Sequence, residues 1–123
     1  MNDRTTALAI PRRVKEAVAK RDSVQRWPCC ILCGRTAPTS NPLAFSCAHY
    51  ISRAQGGLGI EENILTLCPR CHREYDTTER QQLRPFLEHY LREHYPDWDE
   101  RKLYYSKNEE VEVHEGRTDR RGQ

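Results

Sequence analysis

The sequence predicts a small α+β fold, in which a two-stranded hairpin and the helix after it are stapled by a metal clip and flanked by further helices. Three observations predict it. The chain has 123 residues, 37% of them hydrophobic and 31% charged, so a single domain must form around a modest apolar centre. Two Cys-x-x-Cys pairs, Cys30/Cys33 and Cys68/Cys71, bracket its middle. Between them lie two short runs of strand composition, "LAFSCAHYI" (43–51) and "NILTL" (63–67).

The elements follow in order. Residues 1–10 read as a flexible arm. "PRRVKEAVAKR" (11–21) predicts a helix: Pro11 suits a first turn, and Val14, Ala17 and Val18 fall at i, i+3 and i+4. Its other face carries Arg12, Arg13, Lys15, Lys20 and Arg21. "WPCCILCGR" is a cysteine-bearing turn ending at Gly34, and "TAPTSNP" (36–42) has linker chemistry. The two strand runs make a hairpin whose long connection, "SRAQGGLGIEE", holds three glycines. "CPRCHREYD" (68–76) opens a helix at Pro69. A further helix, about 82–94, sets Leu83, Phe86, Leu87, Tyr90 and Leu91 on one stripe, with Pro85 tolerable only in its first turn. "YPDW" ends it. Residues 11–105 thus form the domain, with its clipped core at about 28–76, and residues 106–123 read as a disordered charged tail.

The net charge of +2 hides an asymmetry. Residues 1–60 carry nine Lys or Arg and three Asp or Glu, a balance of +6; residues 61–123 carry eleven and fifteen, a balance of −4. A basic front half suits a polyanionic partner, the plain alternative being a solvated surface. The sequence shows no N-terminal apolar h-region and no long apolar run, which predicts neither export nor membrane spanning. Disulfides then lose ground to metal binding, and a disulfide-stapled secreted domain is the disfavoured reading.

Each Cys-x-x-Cys turn presents two thiolates to one ion, and two such turns complete the tetrahedral sulfur set that zinc prefers. Cys30, Cys33, Cys68 and Cys71 are therefore the predicted ligands of a structural Zn²⁺. The second pair stands at a predicted helix start, where amide N–H groups favour thiolates. Thirty-four residues separate the pairs, so the hairpin must sit between them and zinc clips the chain before it to the helix after it. Cys29 neighbours a ligand and is the weaker candidate. Cys47 reads most simply as a small buried hydrophobe on its strand.

His49, at the end of the first strand run, alone decides nothing. Its context does. Thirteen residues separate it from Asn63, and eight separate Asn63 from His72, which directly follows a zinc cysteine. This run, with "AHYISRAQGGLGIEENILTLCPRCHREYD" as its most specific part, resembles the HNH endonucleases and their ββα-metal core over about residues 11–76. It is most similar to the small phage and prophage enzymes that carry a paired-cysteine zinc site. The resemblance implies a metal-dependent endonuclease hydrolysing phosphodiester bonds in DNA to 5′-phosphate and 3′-hydroxyl ends. It implies that His49 is the general base, that His72 holds a divalent ion such as Mg²⁺ or Mn²⁺, and that Asn63 hydrogen-bonds across the loop to fix the histidine's setting.

One departure stands out. Many members have Asp or His immediately before the base, as a second metal ligand; here that residue is Ala48. Asp76, at i+4 from His72, is the candidate replacement, against the plain reading of a solvated carboxylate. Arg53 opens the loop after the base, where a guanidinium would clamp the scissile phosphate or merely face solvent. Gly56 and Gly57 suit a positive-φ turn. Arg12, Arg13, Lys15 and Lys20 are the predicted phosphate contacts of the basic helix. The second reading is a zinc-stapled nucleic-acid-binding module without catalysis. The expected setting is the cytoplasm of a bacterial cell or phage-infected host, with DNA as partner and no membrane; packaging proteins are further partners favoured by the resemblance alone.

Overall fold

The computed structural model describes residues 3–41, 43–77 and 79–106. In chain order it runs α1 (Asp3–Leu8), α2 (Arg12–Arg21), β1 (Ser23–Val24), β2 (Trp27–Pro28), β3 (Ser46–His49), β4 (Ile64–Leu67), α3 (Pro69–Thr77) and α4 (Arg80–His94). Short 3-10 turns cover Arg53–Gln55, Glu61–Asn63 and Glu100–Leu103. The expected α+β architecture, with its four-cysteine cluster, is present.

The pleat of one hairpin organises the molecule. β3 and β4 pair antiparallel, Ser46 opposite Leu67 and His49 opposite Ile64. Successive side chains alternate faces, so Ala48, Leu65 and Leu67 share one face while Cys47, His49 and Ile64 share the other. The first face enters the main core with Tyr50, Tyr75, Leu87, Leu91, Trp98 and Leu103. The second is covered by Val14 and Val18 of α2, with Ile10 and Cys47 at the margin. All of β4 is buried, as a strand between two helical layers must be.

Polar groups lock these layers. Asp22, just past α2, is 4% exposed and accepts from Arg21, from the Tyr90 hydroxyl of α4 and from the Thr66 amide of β4. Arg21 also donates to the Glu61 and Ile64 carbonyls. It is therefore an internal strut, not part of the solvated basic face that helical spacing suggests. Ala17 is only half-buried, whereas Ala19 completes the apolar side of α2.

Several boundaries differ from the sequence reading. The arm expected over 1–10 holds α1, whose Leu8 is 2% exposed; tertiary contacts supply what its short, polar sequence lacks. The strand expected over 43–51 is limited to Ser46–His49. α4 begins at Arg80, so Pro85 lies in its second turn rather than its first. Its missing N–H leaves the Gln81 carbonyl without a helical partner, and exposure of Gln81 lets water fill that role. Phe86 is 53% exposed: it sits a third of a turn from the Leu87–Leu91 stripe. The tail from residue 107 onward lies outside the described residues.

Candidate active site

The cysteines come together as spacing demands. Cys30, Cys33, Cys68 and Cys71 place their sulfur atoms within 4.8 Å of one another. Cys33 Sγ and Cys68 Sγ are 3.8 Å apart, and a tetrahedron with Zn–S bonds of about 2.3 Å has edges of about 3.8 Å. The donor set fits zinc. Gly34, at φ +80°, turns the first knuckle back, its amide on the Cys30 carbonyl at 2.9 Å. The Ile31 amide ties that knuckle to the Thr66 carbonyl of β4 at 3.1 Å. Burial opposes the Cys68 thiolate, but hydrogen bonds from the Cys71 amide and the neighbouring thiols outweigh it and bring its pKa to about 7. Burial and the same crowded sulfurs push Cys71 well up. Cys29 turns its sulfur to the Cys30 and Gly34 carbonyls, away from the cluster.

A second centre surrounds His49. A cleft of about 530 Å³ is lined by His49, Ser52, Arg53, His72, Asp76 and Arg80, with Ile10 and Cys47 on its wall. Cys47 is thus half-exposed beside the histidine, not fully buried as its strand position suggests. His49 Nε2 lies 2.9 Å from the Leu8 carbonyl oxygen. Burial lowers the His49 pKa below its ordinary value; the Leu8 carbonyl works against this and the Arg53 charge adds to it.

Asn63 is fully buried and closes the loop after His49. Its Oδ1 accepts from the Ile51 amide at 2.7 Å, and its Nδ2 donates to the Ile51 and Leu58 carbonyls at 3.1 and 2.8 Å. A positive-φ turn occurs at Gly56 (φ +89°) but not at Gly57. Gly57 is needed for another reason: a Cβ there would stand 1.7 Å from the Ile51 carbonyl oxygen. The Leu58 amide reaches the Leu103 carbonyl at 2.8 Å, so the chain beyond α4 braces the same loop.

His72 and Asp76 meet on one side of α3, Nε2 to Oδ2 at 3.1 Å. Ser46 Oγ contacts His72 Nδ1 at 2.6 Å and the Leu67 carbonyl at 3.3 Å. With the hydroxyl proton on Leu67, Ser46 accepts from Nδ1–H, and the Nε2 lone pair faces the carboxylate. In that tautomer the two acceptors take a cation between them; in the other, Nε2–H donates to Oδ2 and none is needed. Adjacent octahedral ligands at about 2.1 Å span about 3 Å, so the pair fits a divalent ion. Ala48, by contrast, points into the main core at 1% exposure and offers nothing to the cleft.

Among the basic residues, Arg53 opens onto the cleft and its guanidinium has no partner among the described residues. Arg12, Arg13 and Lys20 of α2 are exposed and Lys15 is half-buried; Arg12 pairs with Glu16 at 2.9 Å. None of these four lines the cleft. Three participants escape the sequence reading: the Leu8 carbonyl, Ser46 and Arg80. Arg80 donates to the Tyr50 carbonyl at 2.8 Å and to Asp76 Oδ1 at 3.1 Å, and stacks over the Tyr75 ring at 4.1 Å. The Asp76–Arg80 spacing of four was the signal for it. No sequence signal marks a backbone carbonyl.

Residues 30–77 match the family model of the HNH endonucleases. The matched span contains all four cysteines of the cluster, His49, Asn63, His72 and Asp76, and it supports a nuclease function in the broad sense. Comparison with curated proteins returns no match. Among the described residues, no helix is long and apolar enough to cross a membrane.

Proposed function

We propose that the protein is a metal-dependent endonuclease that hydrolyses phosphodiester bonds in DNA, leaving 5′-phosphate and 3′-hydroxyl ends. The observation that carries this reading is one cleft shared by a carbonyl-tethered imidazole, a His–carboxylate pair and an uncommitted guanidinium. The likeness of about residues 11–76 to phage and prophage enzymes with a paired-cysteine zinc site supports a phage or prophage gene, action in the cytoplasm of the bacterial host, and packaging proteins as partners.

The residues divide the work. The Leu8 carbonyl only accepts, so Nε2 of neutral His49 carries the proton and Nδ1 keeps its lone pair. Nδ1 is then the atom that takes a proton from the attacking water, and burial keeps the ring neutral near pH 7. Asn63 holds the loop so that His49 and Arg53 keep their relative placement. Arg53 binds the scissile phosphate, and Arg12, Arg13, Lys15 and Lys20 bind phosphates flanking it. His72 Nε2 and Asp76 Oδ2 would hold a divalent ion such as Mg²⁺ or Mn²⁺, which when bound stabilises the charge developing on the phosphate and leaving oxygens. Arg80 aims Asp76 at His72.

The buried Ala48 favours a second reading, a zinc-stapled nucleic-acid-binding module that does not cleave. Incubating supercoiled plasmid with the zinc-loaded protein, with and without Mg²⁺ or Mn²⁺, decides between them. The parent should nick or linearise the plasmid only with the added ion. His49→Ala should stay folded, keep its zinc and bind DNA, yet cleave about 10²–10⁴-fold more slowly. Near-parental cleavage by folded His49→Ala removes the base assignment. A parent that binds the plasmid but leaves it intact with either ion hands the site to the binding module.

A further inference from the structure

The family match begins at residue 30, yet the ring of His49 is held from outside it. α1 and the residues after it bring the Leu8 carbonyl to 2.9 Å from Nε2, and Ile10 lines the same cleft. Burial and long-range hydrogen bonds fix this segment. The Leu8 side chain is 2% exposed. The Ala7 carbonyl accepts from the Gly59 amide at 3.0 Å. Arg4 donates to the Arg53 carbonyl at 3.3 Å, which joins α1 to the loop that carries the candidate phosphate clamp.

Gly59 is the seat of the segment. A Cβ built there would lie 1.9 Å from the Ala9 carbonyl oxygen and 2.6 Å from its carbon. These are backbone atoms, so no rotamer relieves the clash. Gly59 φ is not in the left-handed region; the position demands glycine for space alone. Any side chain there displaces the backbone adjacent to Leu8.

We infer that residues 4–10 are a positioning element for the nuclease chemistry: the Leu8 carbonyl selects the Nε2–H tautomer of His49 and its ring orientation, and Gly59 admits the backbone that delivers it. This rests on the reading of His49 as the base. A neutral imidazole has two tautomers, and only one can donate to a carbonyl at Nε2. The same bond fixes the ring plane and leaves Nδ1 directed away from Leu8. Without it, the base is split between tautomers and rotates about its side-chain bonds. Misplacement of a catalytic group by about 1 Å costs up to about 10²-fold in rate.

The test uses two full-length, zinc-loaded variants, Gly59→Ala and the double variant Arg4→Ala/Leu8→Ala. The first pushes the segment off by contact; the second loosens its anchors while the seat stays open. Ring-nitrogen NMR of His49, assigned against His49→Ala, reports the tautomer, and plasmid cleavage with Mn²⁺ reports kcat and KM. In both variants the Nε2–H form should give way to a mixture. The kcat should fall about 10- to 100-fold with KM for DNA within about twofold, and Gly59→Ala should add nothing to the loss in His49→Ala. A folded Gly59→Ala that keeps the parental tautomer and kcat overturns the positioning role. A changed tautomer with parental kcat instead overturns His49 as the base.

Discussion

The cysteine cluster and the histidine cleft lie at opposite extremes of how a site is built. The four thiols come from two turns, each with its ligands three residues apart, and need a single long-range event to meet. The cleft draws on α1, β3, the loop after it, α3 and α4, each delivering one or two groups. Local spacing therefore determines the first, and the packing of the whole chain determines the second. The difference teaches where each should fail: the cysteine cluster by loss of structure, the cleft by loss of chemistry in a protein that stays folded.

The largest effect should come from the cysteines. Cys68→Ser removes the thiolate that the surrounding hydrogen bonds favour most. Structural zinc contributes about 10–16 kcal/mol of apparent binding free energy in small domains, comparable to their whole stability of about 5–15 kcal/mol. The variant should lose stoichiometric zinc and its cooperative thermal transition, read by metal analysis and circular dichroism. A zinc-free variant melting near the parent would erase the contrast.

Smaller by far, and purely chemical, should be the effect of the candidate ion ligands. His72→Ala and Asp76→Ala should each raise the Mn²⁺ concentration for half-maximal cleavage, roughly 10–100-fold, with zinc content and melting temperature unchanged. Arg80→Ala should act in the same direction and fall short of Asp76→Ala, since it orients the carboxylate without binding the ion. Equal activation curves for Asp76→Ala and the parent would return Asp76 to a solvated carboxylate.

A third test concerns proton traffic. Protonated His49 cannot accept a proton, so cleavage must fall as pH drops through its pKa. Burial lowers that pKa, which keeps the base competent further into acid and sets the acid limb of kcat/KM below the ordinary imidazole value of about 6.5. Arg53→Ala removes a charge that lowers it further, so the limb should move back up. An acid limb above the ordinary value, abolished by nothing at position 49, would mean that another group titrates.

What was legible follows the same division. The cysteine pairs, the helix over 11–21 and the helix starting at Pro69 could be read because periodicity and spacing are local properties. The pairing of 46–49 with 64–67 was readable as a hairpin from strand composition over the wider runs 43–51 and 63–67. α1 was not readable: "DRTTAL" has one buried apolar residue, and what holds it are long-range contacts to Gly59, the Arg53 carbonyl and the His49 ring. Nor could sequence reveal that Arg21 turns inward, because Tyr90 and Tyr95 meet it only after folding. Ser46 carries no mark beyond a small hydroxyl. Its role depends on the register that sets it against His72.

The smallest expected effect belongs to α2, which is part of neither centre. If its basic side chains contact phosphates, binding of uncleaved DNA should weaken steeply with salt, each contact adding about 0.9 to the slope of log K against log salt. The four candidates are not equal. Arg13 and Lys20 are exposed, Lys15 is half-buried, and Arg12 already pairs with Glu16 at 2.9 Å, an exposed pair of small net worth. Neutralising Arg13 and Lys20 should therefore flatten the slope more than neutralising Arg12 does, and should weaken all DNA sequences alike. The kcat at saturating DNA should not change, because none of these residues lines the cleft. Affinity measured for His49→Ala across a salt series gives the slopes without cleavage. An unchanged slope in the Arg13→Ala/Lys20→Ala background would leave α2 a solvated cover for Ile64 and nothing more.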